Sequence, residues 1–293
     1  MVAIDLTKLE QQIAQLASLY AEPARFSQAL QELLSFYQRY SFRPSRHEVP
    51  KTFLRAYNLP SQVLPQIEIG LRRTAQQHPS ETLTLAQALW QEPYFEARDI
   101  AAYLLGQLPA SEADHVATLL SDWLAQPQDR GALDALLSKA VSPLKQTGRW
   151  KPLVFQFLAS PETRQRNVGL AALAQTLADF PLEDLPGILN EIKPLLEASD
   201  EKLAPNLAKV IEGLAKRSPQ ETAYLLKLVL VETSGSIIER RMRGYLPYFP
   251  PESAQSLQEA IKKHARQREL AAQVASRTPP EAPSDRQNGA STA

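Results

Sequence analysis

Asp134 is the one acidic side chain in this sequence whose position and company could serve chemistry. It lies in the run Asp129-Arg130-Gly131-Ala132-Leu133-Asp134-Ala135-Leu136-Leu137-Ser138-Lys139-Ala140-Val141. Leu133, Leu136, Leu137, Ala140, Val141 and Leu144 recur at helical spacing and form one apolar stripe. Asp134 follows Leu133 and sits about 100° round the helix, at the edge of that stripe. It is therefore neither a free surface charge nor a core residue. Residues 130–166 add Arg130, Lys139, Lys145, Arg149, Lys151, Arg164 and Arg166, against only Asp134 and Glu162. Such a basic middle is what a phosphate backbone would use. The plainer alternative is a solvated face, with Asp134 paired to Arg130 four residues earlier.

Little else in the chain offers a reaction. His47, His78, His115 and His264 are scattered and lack the i,i+4 spacing of metal ligands, so neither a metal nor a cofactor is expected. There is no Cys, which removes thiolate chemistry, disulfides and Cys-based metal sites. No Gly-rich phosphate loop, Gly-x-Ser-x-Gly elbow or dinucleotide fingerprint occurs. Lys plus Arg (32) equals Asp plus Glu (32), so a polyanion must be met by a local patch. Residues 181–202 show this segregation in reverse, with six acids against Lys193 and Lys202. No apolar run approaches the ~20 residues of a membrane helix, and Met1 to Leu6 does not resemble a signal peptide. A soluble, cytoplasmic monomer is expected.

The elements that must position Asp134 are helices. Leu6, Leu9, Ile13, Leu16 and Leu19 predict one, and Phe26, Leu30, Leu33, Leu34 and Tyr37 a second. From Ser61 onwards, apolar periods predict helices over 61–78, 80–90, 93–108 and 111–124, then the focal helix with Asp129 as its N-cap. Further helices are predicted over 151–158, 162–180, 182–196, 201–216, 220–231, 236–248 and 253–275. Gly is scarce (10) and Pro plentiful (23), mostly near the ends of these segments, which suits short helices joined by tight corners. Between Arg39 and Tyr57 lies a basic, aromatic connector with Glu48 as its only acid. It reads either as a phosphate-contacting loop or as a long corner with its rings tucked inward. Residues 278–293 carry no large apolar side chain and are expected to be disordered.

The chain also echoes itself. Pro93 to Gln107 aligns with Pro161 to Gln175, matching Arg98 with Arg166, Ile100 with Val168 and Leu105 with Leu173. The offset of about 68 residues is twice ~34, within the range of two-helix repeats. Glu239-Arg240-Arg241-Met242 is a fainter third copy. Hairpins of this length must stack on neighbours to bury their apolar faces. The expected fold is therefore an all-α, HEAT-like right-handed solenoid of about six or seven helix pairs over residues 1–277. Residues 1–58 would be its capping helices and connector.

Tyr94-Phe95-Glu96-Ala97-Arg98-Asp99-Ile100-Ala101, Trp123, Asp129 to Asp134, and Ser160-Pro161-Glu162-Thr163-Arg164-Gln165-Arg166 together resemble the DNA alkylation repair family, over residues 60 to 245. Those proteins are HEAT-like glycosylases that remove N-alkylated purines. The resemblance implies that Asp134 is the carboxylate supporting departure of a cationic base, with Arg166 as the groove arginine. It also implies duplex DNA held by Arg98, Arg130, Lys139, Lys145, Arg149, Lys151, Arg164 and Arg166. A sugar losing its base develops oxocarbenium character, which a fixed anion stabilises. The family's aromatic residue one turn before the acid is here Arg130, and Ser199 to Lys216 holds no ring where a second is expected. Weak or lost excision is one expectation; a non-catalytic scaffold that binds a protein or peptide is the alternative.

Overall fold

The computed structural model describes residues 5–38, 54–127, 129–198, 200–233 and 235–277. Most of the basic connector and the whole 278–293 tail, with the readings attached to them, lie outside the described residues. The helices are α1 (Leu6–Ser18), α2 (Pro23–Tyr37), α3 (Val63–Gln77), α4 (Pro79–Trp90), α5 (Phe95–Gly106), α6 (Ala113–Ala125), α7 (Arg130–Ala135), α8 (Ser142–Gln146), α9 (Trp150–Leu158), α10 (Thr163–Thr176), α11 (Leu185–Glu197), α12 (Ala204–Arg217), α13 (Pro219–Glu232), α14 (Ser236–Tyr245) and α15 (Pro251–Arg277). Proline explains many of the starts. It occupies the first turn of α2, α4, α8, α11, α12 and α13, where its missing N–H costs nothing and its fixed φ already suits the helix. Elsewhere aspartates cap: Asp5 accepts from Lys8 N at 3.1 Å, and Asp129 accepts from Gly131 N at 2.9 Å.

The chain is all-helical. Among the described residues there is no strand, only an isolated bridge between Arg55 and Tyr94 that pins the end of the connector to the start of α5. The apolar run Leu228 to Val231 lies inside α13. No described helix is long and apolar enough to cross a membrane.

Contacts divide the chain into two compact units, 1–176 and 177–293. In the first, α3 packs between α1 and α5, and α5 in turn meets α4 and α7. Val63, Ile67, Leu71 and Ala75 give α3 one fully buried row. On α5 the buried residues run without a break from Asp99 to Gly106, as expected of a helix enclosed on all sides. Trp150 in α9 donates its indole N–H to Thr176 Oγ1 of α10 at 2.9 Å, which satisfies a buried donor. In the second unit, α13 packs on α11, α12, α14 and α15.

The focal helix differs from its expected form. Rather than running unbroken to Leu144, α7 ends at Ala135, continues as a π-helical turn over 136–140, and re-forms as α8 at Ser142. The cause lies on α5. A Cβ built on Gly106 would stand 1.9 Å from the Lys139 carbonyl oxygen, so the two backbones touch where only glycine fits. A wider turn carries one more residue past that contact, and Pro143 then lacks the N–H needed to continue the earlier helix.

Two measurements check this packing. Gly106→Ala should lower unfolding stability by about 3 kcal/mol or more through overpacking, whereas Gly187→Ala, with nothing within 4 Å of the new methyl, should raise it by about 0.5–1 kcal/mol. Burial pushes the Tyr20 and Tyr245 phenols from the ordinary 10.0 up to about 12. Folding thus holds these protons more tightly than the unfolded chain does. The resulting stabilisation is complete below pH 10 and lost as pH rises towards 12. Denaturant midpoints should fall across that interval.

Candidate functional site

Asp134 emerges on the exposed side of α7. Its Oδ1 accepts a hydrogen bond from Gln175 Nε2 of α10 at 3.1 Å, joining two helices that the sequence separates by 41 residues. It forms no ion pair with Arg130, which is exposed at the first position of α7. The carboxylate is thus oriented by a neutral amide, which leaves its charge uncompensated at that contact. Ser138 returns its hydroxyl to the Asp134 carbonyl at 2.7 Å, within the same turn.

Lys139 departs from its expected place among the phosphate-contacting cations. Its ammonium lies 2.6 Å from both Glu68 Oε1 on α3 and Asp99 Oδ2 on α5, with Asp99 buried. Burial alone would depress the Lys139 pKa, but Asp99 and Glu68 outweigh it and hold the ammonium above the ordinary lysine range. Burial pushes the Glu68 carboxyl up, with the Lys139 charge opposing. Three rows of helix are tied through one cation. Beside this cluster, Arg72 of α3 donates Nε–H to Tyr103 OH of α5 at 3.2 Å.

The other expected cations fall into two groups. Arg98 is half-buried: it stands over the Trp90 ring at 5.3 Å and donates Nε–H to the Glu92 carbonyl at 3.2 Å. Desolvation lowers its pKa, and the negative charge of Asp129 opposes that shift. Trp90 and Trp123 stack at 4.4 Å and 4° and are both buried. With Trp150 bonded to Thr176, all three tryptophans serve the interior, and none is a platform for a nucleotide. Arg98 therefore belongs to a packing cluster.

Arg130, Lys145, Arg149 and Arg164 are exposed, and Lys151 and Arg166 partly so. Arg149 pairs with Asp114 at 2.8 Å, and Arg164 reaches the Ala125 carbonyl at 2.6 Å and Glu162 at 3.4 Å. Lys151 lies over Phe155 at 5.6 Å. Arg166 donates to Thr163 Oγ1 at 2.9 Å, while its Nε is buried without a hydrogen-bond partner. Sequence reasoning missed Glu68, Asp99 and Gln175 as partners of the site. Gln175 entered only through its alignment with Gln107, and Asp99 only as a member of the family-like run Tyr94 to Ala101.

The tie through Lys139 can be tested directly. Lys139→Met leaves two carboxylates facing each other in a largely dry site and should cost about 2–4 kcal/mol of stability. Adding Glu68→Gln and Asp99→Asn should recover most of that loss, as read from denaturant unfolding.

Among the described residues no group of three or more His, Asp or Glu side chains is placed to hold a metal ion. No curated protein matches the chain. Among solved structures, the X-ray structure of E. coli YibA matches 89% of this chain and 98% of its own at 14% identity, with a TM-score of 0.29, too loose a superposition to bear on the fold. The model of the DNA alkylation repair enzyme family matches residues 47–234, a stretch that includes Asp134, Gln175, Arg166 and the whole Lys139 cluster. That stretch is more than half of the sequence, and the chain belongs to the DNA alkylation repair enzyme family.

Proposed function

We propose that this protein binds duplex DNA and acts on N-alkylated purines, with Asp134 as the carboxylate that stabilises the sugar as the base departs. The observation that carries the reading is the exposed Asp134, inside the family match, held by a neutral amide at one oxygen. An alkylated purine is already cationic and leaves without a general acid, so one fixed carboxylate can supply the charge that the developing oxocarbenium ion needs. Its second oxygen is then available to face the sugar or to orient a water.

Arg130, Lys145, Arg149, Lys151, Arg164 and Arg166 would hold the phosphates. The pairs that Arg149 and Arg164 make with Asp114 and Glu162 are exposed. Exposed pairs contribute at most about 1 kcal/mol each, so phosphate can replace them at little cost. Lys139 and Arg98 are not assigned to this set, because each is held within the protein. On this reading the helix pairs within each unit stack in the HEAT-like, right-handed manner, their second helices lining a concave face. The compartment would be the cytoplasm.

A second reading has its own support. Arg130 stands where the family carries an aromatic side chain, and every tryptophan is buried. A binding protein of the family that has lost excision, or a scaffold for another protein, would look like this.

Two measurements separate these readings. Duplex binding should weaken with salt along a slope of about −0.9 for each phosphate contacted, and an absence of binding at low salt removes the DNA reading altogether. Asp134→Asn should reduce excision of a methylated purine by about 100- to 1,000-fold with little change in duplex affinity. Equal rates in the two proteins would take Asp134 out of the mechanism, and no excision by the wild type favours the second reading.

A further inference from the structure

A second group of charges lies in the other unit, beyond the residues matched by the family model. Glu239 of α14 is 2% exposed, yet it is a carboxylate. Its Oε1 lies 3.0 Å from His264 Nδ1, and its Oε2 lies 3.7 Å from an Arg243 nitrogen and 3.5 Å from an Arg268 nitrogen. The second nitrogen of His264 is 3.1 Å from the Thr233 carbonyl, which anchors the α15 side of the cluster to the end of α13. One buried acid therefore lies within ion-pair distance of two guanidinium groups from two different helices, both nearest the same oxygen.

The arrangement leaves charge over. One carboxylate cannot neutralise two guanidinium ions, and each guanidinium keeps most of its five N–H donors. Arg243 is 58% exposed and Arg268 35%, so the remaining donors reach the surface. Exposed Arg240 stands one helical turn before Gly244. On α15, residues 262–268 include Lys262, Lys263 and Arg266 and no acid. Gly244 is a separate signal. It lies inside α14, and a Cβ added there would meet nothing within 4 Å, so no packing within the protein requires glycine at this position. A helical glycine costs about 1 kcal/mol against alanine. A bare backbone beside these arginines is what close approach of a ligand would need.

We propose that Arg243 and Arg268, drawn together by the charge of the buried Glu239, form a phosphate-binding subsite for the backbone of a nucleic acid, with Arg240 and the bare surface at Gly244 beside it. Two guanidinium groups converging on one point match the several oxygens of a phosphodiester, and the planar forks supply parallel N–H donors. The choice of nucleic acid over any other phosphate rests on the DNA-binding reading above.

The test follows the arginine Nε–H resonances of Arg243 and Arg268 by NMR, with inorganic phosphate, a short duplex or anionic vesicles added at constant ionic strength. Both resonances should shift with the duplex, and Arg243→Gln/Arg268→Gln should weaken duplex binding about tenfold and reduce the salt slope by about 2. Gly244→Glu places its Cβ where nothing lies within 4 Å and puts a carboxylate one turn after Arg240, and it should weaken binding several-fold with thermal stability unchanged or higher. Shifts with inorganic phosphate or vesicles but not with the duplex overturn the proposal, as does no shift with any of the three. The two functional readings fail separately. If Arg130→Gln/Arg166→Gln leaves the salt slope intact while Arg243→Gln/Arg268→Gln lowers it, the site around Asp134 falls and this one stands.

Discussion

The first unit depends on what happens at Lys139. Its carbonyl oxygen lies against the bare backbone of Gly106, and its ammonium spans Glu68 and Asp99. Backbone contact and ionic contact thus meet in one residue, and between them they tie α3 and α5 to the turn that follows α7. Each contact supports the other. Without the glycine the helices cannot come close enough for the ammonium to reach both acids. Without the ammonium, two carboxylates would face each other where water has little access. The departure of α7 from regular helix geometry follows from the first contact, and the orientation of that stretch from the second.

Helix positions were legible in the sequence because their signals are local. The proline starts and the Asp129 cap each act within one turn, and α1 to α6 and α9 to α15 fall where apolar periodicity places them. The π-helical turn was not legible. Leu136, Leu137, Ala140 and Leu144 satisfy a regular helical period as well as the interrupted one, and the cause of the interruption lies on another helix. The enclosure of Lys139 was not legible for the same reason. Its partners are 71 and 40 residues away, and a basic residue in a basic run gives no sign of being enclosed. The tryptophans illustrate the converse. Large rings are the side chains that a nucleotide platform would use, yet their burial here reflects pairing across helices, as in the parallel stack of Trp90 on Trp123.

Asp134 was legible as a border residue but not as half of a pair. The edge of an apolar stripe predicts partial exposure, and the structure places the carboxylate in the open. The companion weighed for it, on the plainer alternative, was Arg130, four residues back on the same helix. Its actual companion is an amide on α10, and the difference matters chemically: an ion pair would have cancelled the charge that the proposed reaction uses, whereas an amide fixes direction without cancelling charge.

The Lys139 cluster also shapes the surface from which Asp134 projects. Glu68 and Asp99 are engaged by Lys139, with the Arg72 guanidinium beside them, so the segment that carries Asp134 is anchored by charges already answered inside the protein. The acid at the surface and the ions beneath it are thus separate systems, and a change in one need not be felt by the other.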